Sequence, residues 1–491
     1  MVSPLAGPPP GGPRPRRGGP ALRIRELALD LSPLRASGPL GLVLATRVLA
    51  LLCIGLTSVG VVVQVYERTG SSAQVGAVSL VLGTGLLLGF LVGGVLSDRR
   101  DRKGLILLGS GWAVVTFAVL SVNAAADRPA LWVVYVSGAL FGFTEGVAET
   151  ALTAVVPTLV SEEHIPATGA LVTVTTTLGS IAGPMLGGVL IAGPGLAATF
   201  ALAAAGTAVT TLLLTRLGPM PPTGPEAGIA TAETAGTMSG AGKAAVPVPE
   251  AAVPETVATE TAVTRPGVLR SLREGFAFIR GSQVVAAVLV VDLCAALFAT
   301  PTALYPQFAE ERFGGGAEFV GLLTTAPVIG AAVASLASGW TGRARHQWRV
   351  LCGAVAAWGL ACLGFGLSPL LGFGLFFLAL GGVADTVSEI MRRTLLMRHT
   401  PDPLQGRVSS LWLAQAMTAP ALGGVLAGLA ASVVGPAATV AAGGAVCVGT
   451  LALVALRYRA LWAGRDEPAS RPDGAAVDPA VGSNSDTTAP S

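Results

Sequence analysis

Apolar residues fill long stretches of this chain, and polar residues gather in short breaks between them. Runs long enough to cross a bilayer occur at about 40–64, 74–97, 104–124, 131–156, 168–192, 196–215, 284–305, 319–340, 350–367, 371–391, 408–433 and 437–457. Strict alternation of period two is absent, which excludes a transmembrane barrel. A backbone group in hydrocarbon has no water to bond, so each run must close its own hydrogen bonds as a helix. The pattern predicts an all-α membrane protein with twelve transmembrane helices.

The polar segments divide these spans into two sets of six. Residues 1–37 are rich in Pro, Gly and Arg and are expected to be a disordered N-terminus; residues 38–215 form the first six-helix half. Residues 216–266 hold Ala, Thr, Pro, Glu and Gly with almost no large apolar side chain, the composition of a disordered linker. The second half takes residues 267–460, and residues 461–491 read as a disordered tail. At the head of the second half, Val268 to Arg280 alternates apolar and basic positions at helical spacing. That pattern suits an amphipathic helix on the membrane surface, or simply the start of the seventh span.

The halves are pseudo-symmetric in sequence. Gly183-Pro184-Met185-Leu186-Gly187-Gly188 returns as Ala419-Pro420-Ala421-Leu422-Gly423-Gly424, 236 residues later. Val75-Gly76 returns as Val320-Gly321, 245 residues later.

Composition agrees. Mean hydropathy is +0.68 and only 12 % of residues are charged, about half the share of a soluble domain. Many of the 65 glycines lie inside the apolar runs, where small residues let membrane helices approach closely. The net charge of +3 is small and says little by itself, and no nucleic-acid partner is expected. Five cysteines sit in apolar runs without a CxxC pair, and three histidines scatter over loops, so neither a metal site nor another cofactor is expected. Residues 1–37 show no short apolar core before a small-residue cleavage site, and no cleavable signal is expected. The one string near a Walker loop, Gly236 to Ala244, lacks the first Gly and the Ser/Thr after Lys243.

Basic residues orient the bundle. Only Arg68, Arg128 and Arg312 fall in loops on one side, whereas Arg99, Arg100, Arg102, Lys103, Arg343, Arg345, Arg349, Arg392, Arg393, Arg398 and Arg407 lie on the other with the N-terminal arginines. By the positive-inside rule both termini and the linker face the cytoplasm of a multi-pass protein of the inner (cytoplasmic) membrane.

Four sets of residues carry candidate chemistry. Gly94-Val95-Leu96-Ser97-Asp98-Arg99-Arg100-Asp101-Arg102-Lys103 joins spans 2 and 3, and Asp98 sits where it can accept from Arg102 as a charge latch on that side. The equivalent segment Gly339 to Arg343 lacks the acid. In span 5, Gly179, Gly183 and Gly187 recur every four residues beside Pro184 and Gly188, a bent helix with a close-packing face. Glu145 and Glu149 share a face of span 4, and Asp385 and Glu389 repeat the spacing on span 10. At the two offsets Glu149 falls on Asp385, and Arg47 of span 1 falls on Asp292 of span 7.

Charges within a bilayer are costly and mark functional sites. Arg47 lies near a span end and either serves the site or snorkels to the interface. Glu389 suits an ion pair with Arg392 and Arg393. The Thr173–Thr177 segment and Gln415 bond either a ligand or a neighbouring helix. Phe143, Phe298 and Trp412 are candidates for stacking on an aromatic ligand, or for plain packing.

The loop from Gly94 to Lys103 resembles the G-x-L-A-D-R-x-G-R-[RK] motif of the major facilitator superfamily, with Ser97 for Ala and Asp101 for Gly. The span 5 segment is similar to the G-x-x-x-G-P-x-x-G-G motif of the antiporters of that family. Gln74-Val75-Gly76, Ala303-Leu304-Tyr305-Pro306, Thr400-Pro401, Gly406-Arg407-Val408 and Leu411 to Gln415 resemble the enterobactin-type siderophore exporters within it, over about residues 30–460. The resemblance implies a secondary active exporter, not an enzyme, in which proton entry drives siderophore efflux by alternating access. It implies spans 1, 4, 7 and 10 around a central cavity, with small-molecule substrate, protons and lipid as the partners of a monomer. A broad multidrug antiporter of the same fold is the alternative, and the span 5 motif argues against a proton-coupled nutrient importer.

Overall fold

The computed structural model describes residues 34, 38–155, 159–161, 164–216, 218, 276–344 and 346–457. The N-terminal segment, nearly all of the linker, the tail and most of the expected amphipathic helix lie outside the described residues. Only Phe276 to Gly281 of that last region is described, and it is helical.

Twelve helices are long and apolar enough to span, and no strand occurs among the described residues. They are α1 (Gly38–Thr69), α2 (Ser72–Ser97), α3 (Arg102–Ala125), α4 (Leu131–Val155), α5 (Ile165–Ala192) and α6 (Leu196–Thr215) in the first half. The second half holds α7 (Gln283–Phe298), α8 (Ala317–Leu336), α9 (Gln347–Leu367), α10 (Leu371–His399), α11 (Asp402–Val434) and α12 (Pro436–Arg457). Large apolar side chains face outward along them, among them Val122, Leu336 and Val433. Water would penalise that belt, whereas lipid covers it.

Three boundaries depart from the apolar pattern. α10 runs on to His399 and α11 starts at Asp402, so the polar stretch expected to be a loop is mostly helix. Hydropathy ends where the lipid ends, whereas helix continues while protein or water can serve its side chains. α8 stops at Leu336, and a 3₁₀ segment, Ser338–Arg343, follows. The seventh span is broken: α7 ends at Phe298, a 3₁₀ turn covers Thr302–Leu304, one α turn covers Tyr305–Gln307, and a π turn covers Phe308–Arg312. Pro301 and Pro306 lack the N–H that would continue the ladder.

Helices α3, α6, α9 and α12 pack chiefly on helices of their own half, while α2 packs on α11 and α5 on α8 across the seam. Glycine makes that seam. The α5 glycines take two directions. A Cβ on Gly183 would lie 2.9 Å from Gly55 Cα, and one on Gly187 would lie 3.1 Å from Leu56 Cα, both on α1. A Cβ on Gly188 would lie 3.1 Å from Gly321 Cα, and one on Gly321 would lie 2.7 Å from the Pro184 carbonyl oxygen, both across the seam. Thr325 Oγ1 donates to the Ile181 carbonyl at 3.3 Å, and a hydrogen bond of 3.0 Å joins Ser72 to Gln307.

These contacts all lie toward the end of the bundle remote from the Asp98 loop. The named contacts between the halves therefore gather at that end.

Candidate functional site

Each half carries one arginine between two carboxylates, and the two arrangements are charge-swapped. In the first half, Arg47 on α1 grips Glu149 on α4 with both terminal nitrogens, at 2.8 Å and 3.3 Å. Its Nε reaches Thr176 Oγ1 on α5 at 3.4 Å. Glu145, one turn before Glu149, lines the same cavity as Arg47 and Glu149. In the second half, Arg392 on α10 pairs with Asp292 on α7 and lies 3.3 Å from Asp385 on its own helix. Gln415 on α11 donates to Asp292 Oδ2 at 2.9 Å and to the Leu289 carbonyl at 3.2 Å. The basic residue sits on the first helix of one half and on the fourth helix of the other.

Accessibility separates the acids. The side chains of Asp292 and Arg392 are 8 % and 6 % exposed, a pair removed from solvent, whereas Asp385 is 42 % and Glu149 32 % exposed. A buried ion pair survives only when its hydrogen-bonding capacity is met, and Gln415 meets part of it for Asp292. Asp385 and Glu149 each keep a face open to the space between the helices.

Several expectations change here. Arg47 does not snorkel, because the Glu149 carboxylate holds it at 14 % exposure. Arg392, read as an orienting interfacial charge, is a buried member of the site. Its neighbour Arg393 takes the role given to both: it pairs with exposed Glu389 at 2.9 Å and lies 5.0 Å over the Trp412 ring. Adjacent helical residues point about 100° apart, so one arginine faces inward while the other faces the rim. The signal for Arg392 was present in its spacing, seven residues and two turns after Asp385 on the same face.

Gln415 bonds a neighbouring helix. Thr173 and Thr175 donate to carbonyls of their own helix, and only Thr176 of that segment reaches the charged cluster. Phe143 is two residues from Phe141, about 200° around the helix, and Phe141 lines an interior cavity. Phe298 is exposed at the end of α7.

The Asp98 latch is not closed in this conformation. Asp98 is exposed and its side chain makes no hydrogen bond or ion pair among the described residues. Arg102 is 7 % exposed and donates to the Ala154 carbonyl at 3.3 Å, at the end of α4. Lys103 Nζ donates to the Thr215 carbonyl at 2.9 Å, at the end of α6. Both cations thus serve helix C-termini, whose carbonyls have no partner in the helix. Asp101, standing where the motif has Gly, caps α3 by accepting from Lys103 N at 3.3 Å. Arg99 is exposed beside it.

Two pseudo-symmetric six-helix halves, charge clusters on the first and fourth helix of each, and a seam closed at one end define a membrane transporter. The sequence profile of the Major Facilitator Superfamily matches residues 43–316 and 290–483, and the chain belongs to that family. It is 32 % identical over 453 residues to an enterobactin exporter of Citrobacter koseri, covering 91 % of this chain and 98 % of that protein. It is 32 % identical over 430 residues to an enterobactin exporter of Shigella boydii, covering 87 % and 94 % of the two chains. Among solved structures, a POT family transporter in complex with 5-aminolevulinic acid aligns with TM-score 0.63 at 15 % identity, covering 87 % of this chain and 97 % of that one. The nucleoside transporter NupG aligns with TM-score 0.59 at 14 % identity, covering 86 % and 99 %. At such identities the structures share the fold alone.

Proposed function

We propose that this protein exports a metal-free siderophore of the catecholate class from the cytoplasm by alternating access, with protons entering as substrate leaves. On this reading its termini, the linker and the Asp98 loop face the cytoplasm, and the seam contacts at Gly188, Gly321 and Ser72 hold the outward end together.

The observation that carries the mechanism is the pair of charge clusters, each with one arginine for two carboxylates and one carboxylate accessible. The accessible carboxylate of each cluster can take up a proton, loosening its hold on the arginine, and give it up again when the cavity changes sides. Glu149 and Asp385 are the coupling acids on this reading, and Asp98 is a latch that closes when the cytoplasmic ends come together. Export of this ligand class is what the enterobactin exporters are named for, and the likeness to them runs nearly the full length of both chains. Such a ligand is bulky, aromatic and rich in polar groups, and it cannot cross lipid unaided.

The test is a strain lacking the gene, grown without iron, with siderophore measured by mass spectrometry in cells and medium. Secretion should fall while the cellular pool rises. Unchanged secretion with new sensitivity to unrelated amphipathic drugs would replace this reading with broad drug efflux.

A further inference from the structure

Each half holds a mainly apolar cavity beside its charge cluster, and the repeat offsets relate the two. In the first half, a cavity of about 290 Å³ lies among α1, α2, α3 and α4. In the second half, a cavity of about 210 Å³ lies among the broken seventh span, α8, α9 and α10. The sequence offsets map one onto the other. Ile54, Thr57 and Leu82 fall on Ala299, Thr302 and Pro327 at 245 residues, and Phe141 falls on Phe377 at 236. Aromatic rings wall both: Phe117 and Phe141, with centroids 5.1 Å apart, in one, and Trp358, Phe377 and Tyr305 in the other.

Both cavities adjoin the charge clusters. Ile54 lines the first-half cavity and also the cavity of Arg47 and Glu149. Asp385, the partner of Arg392, lines the second. Each volume is below the roughly 300 Å³ at which pockets begin to take a whole drug-sized ligand. One ring with its substituents is the scale that fits.

The polar groups choose among rings. Thr57, Ser58 and Ser79 donate their hydroxyl hydrogens to the carbonyls of Cys53, Gly55 and Val75, at 2.9, 2.8 and 3.1 Å. Their oxygens present lone pairs to the first-half cavity. The second is lined by the carboxylate of Asp385 and by Thr302 and Tyr305, whose hydroxyls can donate as well as accept. Such walls call for ligand groups that both donate and accept. A phenolic O–H supplies them, whereas a metal-bound catecholate has lost those hydrogens and carries negative charge toward Asp385.

We propose that the two cavities are paired receptors for two aryl arms of one ligand, each arm in its protonated, metal-free form. The inference rests on the siderophore reading for the identity of the ligand but not for the pairing of the sites. Because one receptor belongs to each half, a two-armed ligand bridges the halves and its release is tied to their rocking. A one-armed ligand occupies each receptor independently.

Glycine supplies a direct test. A Cβ at Gly138 would meet atoms no closer than 3.9 Å, and one at Gly381 none closer than 3.6 Å, so a side chain can grow from either into its cavity. The wild-type protein, Gly138→Leu and Gly381→Leu are compared in lipid nanodiscs by calorimetry. The probes are metal-free enterobactin and N-methyl-2,3-dihydroxybenzamide. The wild type should bind two equivalents of the monomeric probe and each filled variant one, with enterobactin weakened at least tenfold in both variants. Thr302→Val and Ser58→Ala, which add no bulk, should weaken the dihydroxy probe and leave N-methylbenzamide unaffected. One equivalent of monomer on the wild type, or unaltered enterobactin affinity in both filled variants, would overturn the proposal. Two equivalents falling to one in each variant, with no enterobactin binding at all, would keep the paired receptors and refute the siderophore reading.

Discussion

Arg392 and Arg393 are chemically identical neighbours, and the structure assigns them opposite importance. Changing Arg392 to Gln leaves Asp292, 8 % exposed, with Gln415 as its remaining side-chain partner. Breaking a buried pair by removing one partner costs about 3–5 kcal/mol, because an uncompensated charge stays inside. Changing Arg393 to Gln removes a pair whose side chains are 58 % and 42 % exposed, and exposed pairs contribute about 0–1 kcal/mol. At roughly 2–4 °C per kcal/mol for a half of this size, the first change should lower the melting temperature by about 6–20 °C and the second by less than about 4 °C.

The chain supplies its own reporter. Cys53, Cys352, Cys362 and Cys447 are buried, so a thiol-reactive dye brightens as the helices separate. Adding Asp292→Asn to Arg392→Gln removes the stranded charge and should recover at least half of the lost stability. Asp292→Asn alone should cost less than Arg392→Gln, since Arg392 keeps Asp385 and an amide still accepts from Gln415. Equal shifts for Arg392→Gln and Arg393→Gln, or no recovery in the double variant, would refute the placement of Arg392 in the buried site.

Three further outcomes are expected. Asp98→Asn should reach the membrane at wild-type level and slow transport severalfold or more, measured as initial rates in vesicles; a normal rate would remove the latch role. Glu149→Gln and Asp385→Asn should each abolish accumulation of substrate against its gradient while leaving downhill equilibration intact. If both still concentrate substrate, the coupling acid is elsewhere, with Glu145 and Asp292 next to test. Gly183→Val inserts atoms where a Cβ would already lie 2.9 Å from Gly55 Cα, and overpacking of this kind costs about 1–3 kcal/mol, which the same dye assay reads.

The number of helices and the two-half plan were legible along the chain, because the bilayer imposes a simple rule: about twenty apolar residues per crossing and every backbone group paired within its own helix. The glycine stripe of α5 was legible for the same kind of reason, since close helix packing admits few residue types. Its two targets were not, because which face meets α1 and which meets α8 depends on how the helices are placed. The candidate charges were legible as anomalies in hydrocarbon, and the repeat offsets set Glu149 against Asp385. Sequence alone determined that charge sits in both halves.

Partners were decided only by the fold. Asp292 and Arg392 lie a hundred residues apart, and nothing local ties them. The direction of a guanidinium follows helix phase and crossing geometry, so Arg392 and Arg393 look alike until α7 is placed beside α10. The break after Phe298 also belongs to the tertiary structure. Two prolines permit it, but whether a freed backbone turns into 3₁₀ and π segments depends on the packing that receives it. The paired aromatic cavities arise the same way: hydrophobicity puts Phe141 and Phe377 in spans, and only the enclosing helices leave space beside their rings.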